Sequence, residues 1–180
     1  MKIKVCGITD ADFAVAAERR GVDYLGFIFA PSSPRNLTLA RAAAITAQLS
    51  GAARRVGVFV KQTPDEIVQI MRAASLDVVQ LHRRATAADV AALRAAGYEV
   101  WTLAGGAPGD GVLFDSSHGD GETTFRQGAY KTILAGGVSA ANAATFMALH
   151  PDVLDVNSSL ETSPGVKSLV LLEHFLAMAR

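Results

Sequence analysis

Short runs of apolar residues recur along the chain, separated by longer Ala-rich segments. The runs are rich in Val, Ile and Phe and continuous rather than alternating with polar residues, which is typical of strands buried on both faces of a parallel sheet. We predict eight strands, at residues 3–8, 24–29, 56–60, 78–81, 100–103, 112–114, 133–135 and 153–156.

The segments between these runs have amphipathic patterns that predict helices. Capping residues precede several of them, including Thr38, Thr86, Ser139 and the pair Thr63 and Pro64. The predicted helices cover residues 11–20, 39–49, 65–74, 87–96, 140–149 and 166–178.

The alternation is incomplete after the fifth strand, because residues 104–110 are too short and too rich in Gly and Pro to form a helix. Residues 123–127 supply at most a shortened sixth helix. Repeated strand–helix units form either an open doubly wound sheet or a closed barrel, and eight units favour the barrel. We therefore expect an α/β fold, a single compact (β/α)₈ TIM-barrel domain over residues 1–180, with the fifth helix replaced by a loop.

Composition narrows the function classes. The 17 basic and 17 acidic residues balance, so there is no electrostatic footprint for nucleic acid or an anionic membrane. We expect no signal peptide, and no apolar stretch reaches the roughly 18–20 residues that a membrane helix needs. The single cysteine excludes an intramolecular disulfide framework and a multi-cysteine metal site, and we expect the cytoplasm.

Polar residues stand at the predicted carboxyl ends of the strands, where barrels of this type carry their active sites. Side chains two positions apart share a face of a strand, so the two members of each strand-end pair are expected to point inward together. These residues are Lys4 and Cys6, Gln80 and His82, and Asp155 and Asn157, with Arg35 after the second strand and Asp115 ending the sixth.

Gly136 and Gly137 follow the seventh strand and precede a predicted helix. Glycine lets backbone N–H groups approach an anion, and a helix N-terminus adds a favourable dipole. With Asn157 and Ser158 after the eighth strand, they predict a phosphate site. The alternative is that the glycines only form a tight turn.

Taken singly, the other residues have structural alternatives. Cys6 alone is typical of a small buried apolar residue. Asp115 is equally suited to capping a helix, Arg35 to an ordinary loop, and His82 to the edge of the core.

Six segments together carry a resemblance to a known family. They are KVCGIT at 4–9, GFIFAPSSPRNLT at 26–38, VGVFV at 56–60, VVQLH at 78–82, LAGGVSAANA at 134–143 and SPGVK at 163–167. In this order they closely resemble the phosphoribosylanthranilate isomerases of tryptophan biosynthesis, over nearly the whole chain.

The resemblance implies an Amadori rearrangement of N-(5-phosphoribosyl)anthranilate without metal or organic cofactor. It implies that Cys6 is the general base, Asp115 the general acid and Arg35 a substrate-binding cation, which we expect to bind the anthranilate carboxylate. We expect Gln80, His82 and Asp155 to bind the same small-molecule substrate. The chain is expected to be a monomer or a homodimer.

Lys4 has two interpretations of equal weight. It can lower the pKa of the Cys6 thiol so that the thiolate accepts a proton. It can equally be a buried structural partner of Asp155.

The chain departs from the family pattern in two loops. Asp155 begins the sequence DVNSS where the family reads like DVSSG, so Ser159 replaces a glycine, and residues 116–122 replace a Gly-rich loop with one containing two acidic residues. A non-catalytic phosphosugar-binding barrel is therefore the alternative function. Another phosphate-binding barrel enzyme, such as an indole-glycerol-phosphate synthase, is disfavoured because an N-terminal extension and strand-end lysines are missing.

Overall fold

A closed barrel of eight parallel strands, arranged in chain order, forms the centre of the computed structural model, which describes residues 1–116 and 129–179. Lys4 pairs in register with Asp155 where the first and last strands meet and close the ring. The predicted TIM barrel is thereby confirmed. The strands are β1 (Lys2–Val5), β2 (Tyr24–Phe29), β3 (Arg54–Phe59), β4 (Val78–Leu81), β5 (Glu99–Leu103), β6 (Gly111–Asp115), β7 (Lys131–Ala135) and β8 (Val153–Val156).

Helices surround the barrel, and the predicted threonine caps are confirmed. Thr38, Thr63 and Thr86 each accept a backbone N–H in the first turn of the helix that follows. The helices are α1 (Ala11–Arg19), α2 (Leu39–Thr46), α3 (Pro64–Ala73), α4 (Ala87–Ala95), α5 (Ala143–Met147) and α6 (Leu169–Met178).

Two helix predictions are wrong in their bounds. The helix expected at 140–149 is reduced to the five residues of α5. The helix expected from residue 166 begins at Leu169, because a small antiparallel hairpin of β9 (Glu161–Ser163) and β10 (Val166–Lys167) precedes it. The Pro164–Gly165 turn between these strands, with Gly165 at φ 84°, reverses the chain directly before the residues that the apolar pattern assigned to a helix.

A loop at residues 104–110 joins β5 directly to β6, as the Gly/Pro-rich sequence predicted. Its backbone is held by bonds from Ala104 N–H to the Leu113 carbonyl and from Ala107 N–H to the Ala85 carbonyl. The expected short sixth helix at 123–127 lies outside the described residues. No helix in the described part of the chain is long and apolar enough to cross a membrane.

The barrel interior is filled at its amino-terminal end and open at the other. Trp101 and Tyr24 are buried there, with ring centroids 4.9 Å apart in an edge-to-face arrangement. Smaller inward residues, among them Val58, Leu113 and Ala135, continue this core toward the carboxyl ends of the strands. Large rings at one end and smaller side chains at the other leave room for a cavity where the polar residues were expected.

Candidate active site

A cavity of about 550 Å³ opens at the carboxyl ends of the strands, and all ten predicted site residues line it. Its size is in the usual range for small-molecule sites. The structure thus brings together residues of three strands (β4, β6 and β8) and of the segments that follow β1, β2, β4, β7 and β8, which are far apart in sequence. They are Cys6, Arg35, Gln80, His82, Asp115, Gly136, Gly137, Asp155, Asn157 and Ser158.

Cys6 directly follows β1, and its side chain is buried beside Gly26 of β2. A Cβ at position 26 would lie 2.9 Å from the Cys6 sulfur and 3.3 Å from Cε of Lys4. The absence of a side chain on Gly26 therefore makes the space in which Cys6 and Lys4 lie side by side.

Lys4 is a buried partner of Asp155 and also acts on Cys6, although its effect on the thiol pKa is smaller than that of burial. Its fully buried ammonium donates to Oδ2 of Asp155 at 2.5 Å, and its side chain lies beside Cys6 next to Gly26. Although burial acts to lower the pKa of Lys4, the Asp155 carboxylate and the thiol together raise it, so the ammonium stays charged. Lys4 is therefore a fixed positive charge beside the thiol.

The expectation of a lowered Cys6 pKa is wrong in this structure. Burial raises the pKa of the Cys6 thiol, and this effect exceeds the lowering by the neighbouring Lys4 charge. The nearby Asp155 carboxylate adds to the rise, whereas Lys167 opposes it. Lys4 thus moderates the cost of forming a thiolate in a buried place without removing it.

Asp115 ends β6, three strands away from β1 around the ring. Its carboxyl group is largely buried, and Oδ2 lies 3.9 Å from Nε2 of His82. A Cβ at position 136 would approach Oδ1 to 2.6 Å, so Gly136 permits the close approach of the loop after β7. The helix-cap alternative for Asp115 concerns residues from 117 onward, which lie outside the described residues.

Arg35 is more than an ordinary loop residue, because it forms a two-point ion pair with Glu161 of β9. Its Nε and Nη2 atoms donate to the two Glu161 carboxylate oxygens at 2.7 and 2.6 Å. These bonds raise the pKa of Arg35. Arg35 still lines the cavity, although part of its guanidinium is occupied.

Sequence reasoning missed Glu161 and its second partner, Lys167. The ammonium of Lys167 donates to Glu161 at 2.7 Å and to the carbonyl and Oδ1 of Asn157 at 3.0 and 2.8 Å. Two opposite charges flanking a Pro-Gly turn were the available signal for a hairpin, but it was outweighed by the helical pattern that follows.

The predicted phosphate end contains Gly136 and Gly137, both with positive φ, and Asn157 and Ser158 line the same cavity. One part of the prediction is wrong: no helix begins at residue 139 or 140. Since α5 starts at Ala143 and has five residues, it does not direct a substantial helix dipole at this end. Donors here must be loop N–H groups and side chains.

Ser159, the departure from the family's glycine, does not strain the backbone. It is absent from the residues with positive φ, so no glycine is required by its conformation. Its hydroxyl donates to the Val138 carbonyl at 2.6 Å and joins the loops after β7 and β8. The substitution therefore ties the two phosphate loops together.

Two buried acceptors in the cavity wall have no hydrogen-bond partner within the described residues, Oε1 of Gln80 and Oδ1 of Asp155. Unpaired buried acceptors are costly, so both are suited to receiving hydroxyl groups from a ligand. Among residues 1–116 and 129–179, no group of three or more His, Cys, Asp or Glu side chains is arranged to hold a metal ion.

Comparison with known proteins gives one consistent family. The family model described as N-(5'phosphoribosyl)anthranilate (PRA) isomerase matches residues 3–178. The N-(5'-phosphoribosyl)anthranilate isomerase of Solibacter usitatus is 36% identical over 204 aligned residues, which cover 100% of this chain and 98% of that protein.

Solved structures agree with the sequence comparison. The phosphoribosyl anthranilate isomerase of Thermus thermophilus has a TM-score of 0.86 and 34% identity, covering 99% of this chain and 98% of that one. A phosphoribosyl anthranilate isomerase in complex with reduced 1-(o-carboxyphenylamino)-1-deoxyribulose 5-phosphate has a TM-score of 0.84 and 26% identity, with the same two coverages.

Proposed function

We propose that this chain, which belongs to the N-(5'-phosphoribosyl)anthranilate isomerase family, converts N-(5-phosphoribosyl)anthranilate to 1-(2-carboxyphenylamino)-1-deoxyribulose 5-phosphate in tryptophan biosynthesis. The observation that carries the proposal is one cavity of about 550 Å³ that is lined by Cys6, directly after β1, and by Asp115, at the end of β6, with β1 and β6 well separated around the ring. Such a placement suits an acid and a base acting on opposite sides of one sugar.

Asp115 acts as the general acid in the first step. Its carboxyl proton passes to the ribose ring oxygen, the bond between that oxygen and C1′ breaks, and the anilino nitrogen lone pair forms the imine. A carboxylic acid in a largely buried position at the cavity wall is suited to this donation.

Cys6 acts as the general base in the second step. Its thiolate takes the C2′ proton, and the electron pair moves toward the imine to give an enolamine, which tautomerises to the ketone. The buried Lys4 ammonium beside the sulfur favours the thiolate. No external oxidant or reductant is needed, because the reaction moves hydrogen within one molecule.

The two anionic ends of the substrate bind to two different groups of residues at the cavity mouth. The guanidinium of Arg35 binds the anthranilate carboxylate, for which its planar fork is well matched. Gly136, Gly137, Asn157 and Ser158 bind the phosphate. The unpaired acceptors of Gln80 and Asp155 receive ribose hydroxyls as the chain opens, and His82, close to Asp115, contacts the ring oxygen region.

The test is the loss of phosphoribosylanthranilate fluorescence catalysed by the purified chain. Cys6→Ser and Asp115→Asn are each expected to lower kcat by about 100-fold or more, since each removes a group that transfers a proton in the transition state. Asp12→Asn, an exposed aspartate of α1, serves as the matched control and is expected to retain wild-type kcat.

A wild-type rate shared by Cys6→Ser would contradict the role of Cys6. If the wild-type chain binds a reduced product analogue without turning over substrate, the alternative of a non-catalytic binding barrel is correct. Growth of a tryptophan auxotroph that lacks this step, when supplied with the chain, would support the isomerase in cells.

A further inference from the structure

The β9–β10 hairpin places two charged side chains behind the wall of the cavity. The side chains of Glu161 and Lys167 are 4% and 1% exposed, and neither lines the cavity. Each is bonded to a residue that does, Glu161 to Arg35 and Lys167 to Asn157. The hairpin is therefore bonded to the cavity wall at these two residues.

The charges in this cluster do not cancel. Arg35 and Lys167 are cations and Glu161 is the one anion bonded to both. These two partners keep the pKa of Glu161 at about 2, although burial acts to raise it. The cluster thus retains an excess positive charge beside a cavity suited to an anionic ligand.

The bonds to Glu161 occupy only one edge of the Arg35 guanidinium. Glu161 uses Nε and Nη2, and a guanidinium has five N–H donors in a fixed fork. The Nη1 group and the second N–H of Nη2 form another edge of the same plane. Fixing the first edge fixes the direction of the second, which remains able to bind a carboxylate at two points.

The contact of Lys167 with Asn157 has an equivalent effect. Because Oδ1 of Asn157 accepts from Lys167 at 2.8 Å, the amide must present its Nδ2 donors on the other side. An amide held with its N–H groups outward is suited to a phosphate oxygen.

We propose that Glu161 and Lys167 are positioning residues for the two anionic ends of the substrate, Glu161 directing Arg35 at a carboxylate and Lys167 directing Asn157 at a phosphate. This inference rests on the proposed function for the identity of the two ends. In this role, Glu161 and Lys167 of the hairpin orient other side chains and do not touch the substrate themselves.

Two small probes test the separate roles of Glu161 and Lys167. Anthranilate represents the carboxylate end of the substrate, and inorganic phosphate represents its phosphate end. Each probe is titrated calorimetrically into the full chain. Glu161→Gln is expected to weaken anthranilate binding about tenfold or more, as expected for losing charge-assisted bonds, and phosphate binding less than about twofold. Lys167→Met is expected to weaken phosphate binding more than anthranilate binding. Glu161→Asp should recover part of the anthranilate affinity.

Glu173→Gln is the matched control, because Glu173 accepts from Nε and Nη2 of Arg20 on the exterior of the barrel. It is expected to change neither affinity. In the isomerase assay, Glu161→Gln should raise KM by a similar factor while kcat stays within about threefold.

A double variant, Arg35→Met with Glu161→Gln, tests whether Glu161 acts through Arg35. It removes one positive and one negative charge together. In an Arg35→Met background, Glu161→Gln should cause no further loss of anthranilate affinity. An equal loss in that background overturns the inference, as does an equal loss of both probes in Glu161→Gln. Tighter anthranilate binding by Glu161→Gln also overturns it, because Glu161 would then be a competitor for Arg35.

The titrations do not depend on turnover. A wild-type chain that binds both probes but fails to isomerise phosphoribosylanthranilate contradicts the proposed function alone. Failure of the wild-type chain to bind anthranilate or phosphate overturns the positioning inference.

Discussion

The environment of Cys6 shows how a single buried charge sets the chemistry of a single atom. A thiol without polar neighbours in a strand is inert. Here the same burial that raises its pKa also keeps water from screening the Lys4 ammonium that lowers it. The reactivity of Cys6 is the balance of these two effects.

Removing the Lys4 charge is therefore expected to slow alkylation of Cys6. The chain has one cysteine, so iodoacetamide consumption reports on this thiol alone. Combining Lys4→Met with Asp155→Asn removes the buried ion pair without leaving an unpaired charge. Since Lys4 lowers the thiol pKa more than Asp155 raises it, the pKa should rise, and each unit of rise slows alkylation at pH 8 about tenfold.

The matched control combines Lys61→Met with Asp65→Asn, two exposed charges away from the thiol. Its alkylation rate is expected to equal that of the wild type. An unchanged rate in the Lys4 and Asp155 variant would show that the ammonium does not act on Cys6.

At the scale of elements, the loop after β7 depends on two consecutive glycines for different reasons. Both have positive φ, 87° for Gly136 and 70° for Gly137. A Cβ on Gly136 would lie 2.6 Å from Asp115 Oδ1 and from the Ser116 backbone nitrogen, whereas a Cβ on Gly137 would meet nothing within 4 Å. Only the first glycine is required by packing.

Gly136→Ala is consequently expected to be more destabilising than Gly137→Ala. Both substitutions cost about 1 kcal/mol for the left-handed backbone, and the contact with β6 adds about 1–3 kcal/mol at position 136 alone. Urea unfolding of the two variants measures the difference, with Gly137→Ala as the internal control for backbone strain. Equal free energies of unfolding would contradict the close approach of the two loops.

The same scale shows why local patterns predicted some elements and not others. The strands were found because their apolar runs have no other explanation, and Thr38, Thr63 and Thr86 marked true helix beginnings. Residues 166 and 167 of the hairpin were assigned to a helix because they merge into the apolar pattern of α6. The Arg35–Glu161 pair joins residues 126 positions apart, and no local pattern records such a partner.

Every residue chosen for the site lines one cavity, but the electrostatics of that cavity were not predictable from the sequence. The pKa of Cys6 depends on how deeply the finished barrel buries it. The absent helix dipole at Gly136 and Gly137 depends on where α5 begins. Both are properties of packing, whereas strand-end position is a property of sequence order.

For the molecule as a whole, the end of the barrel opposite the cavity carries its own ionic cluster. Glu99 of β5 accepts from Arg54 of β3, from Lys131 of β7 and from the Trp101 indole. These donors hold the pKa of Glu99 at about 2, although partial burial acts to raise it. The Glu99 carboxylate thus stabilises the fold at the end of the barrel that lies opposite the cavity.

Glu99→Gln is expected to lower the free energy of unfolding at pH 7 by about 2 kcal/mol, after allowance for the partial exposure of Arg54 and Lys131. Because the folded pKa is depressed, the contribution is present above the unfolded value near 4.5 and is lost as the pH falls toward 2. The free energies of unfolding of the wild type and Glu99→Gln should therefore converge near pH 2. Chemical unfolding of both proteins between pH 7 and pH 2 measures this difference.

Isomerase activity of Glu99→Gln at pH 7 is expected to match the wild type, since the cluster lies at the far end of the barrel. A difference in stability that is constant from pH 7 to pH 2 would contradict the assigned cause.

The pairing of Lys4 with Asp155, and of Arg35 with Glu161, has a consequence for synthesis on the ribosome. These contacts span 151 and 126 residues. Lys4 of β1 therefore has no partner until Asp155 of β8 has been synthesised. A nascent chain lacking residues beyond 150 carries Cys6 and Asp115 but neither the closed ring nor the hairpin. The closed ring and the hairpin can therefore form only after translation has passed Lys167.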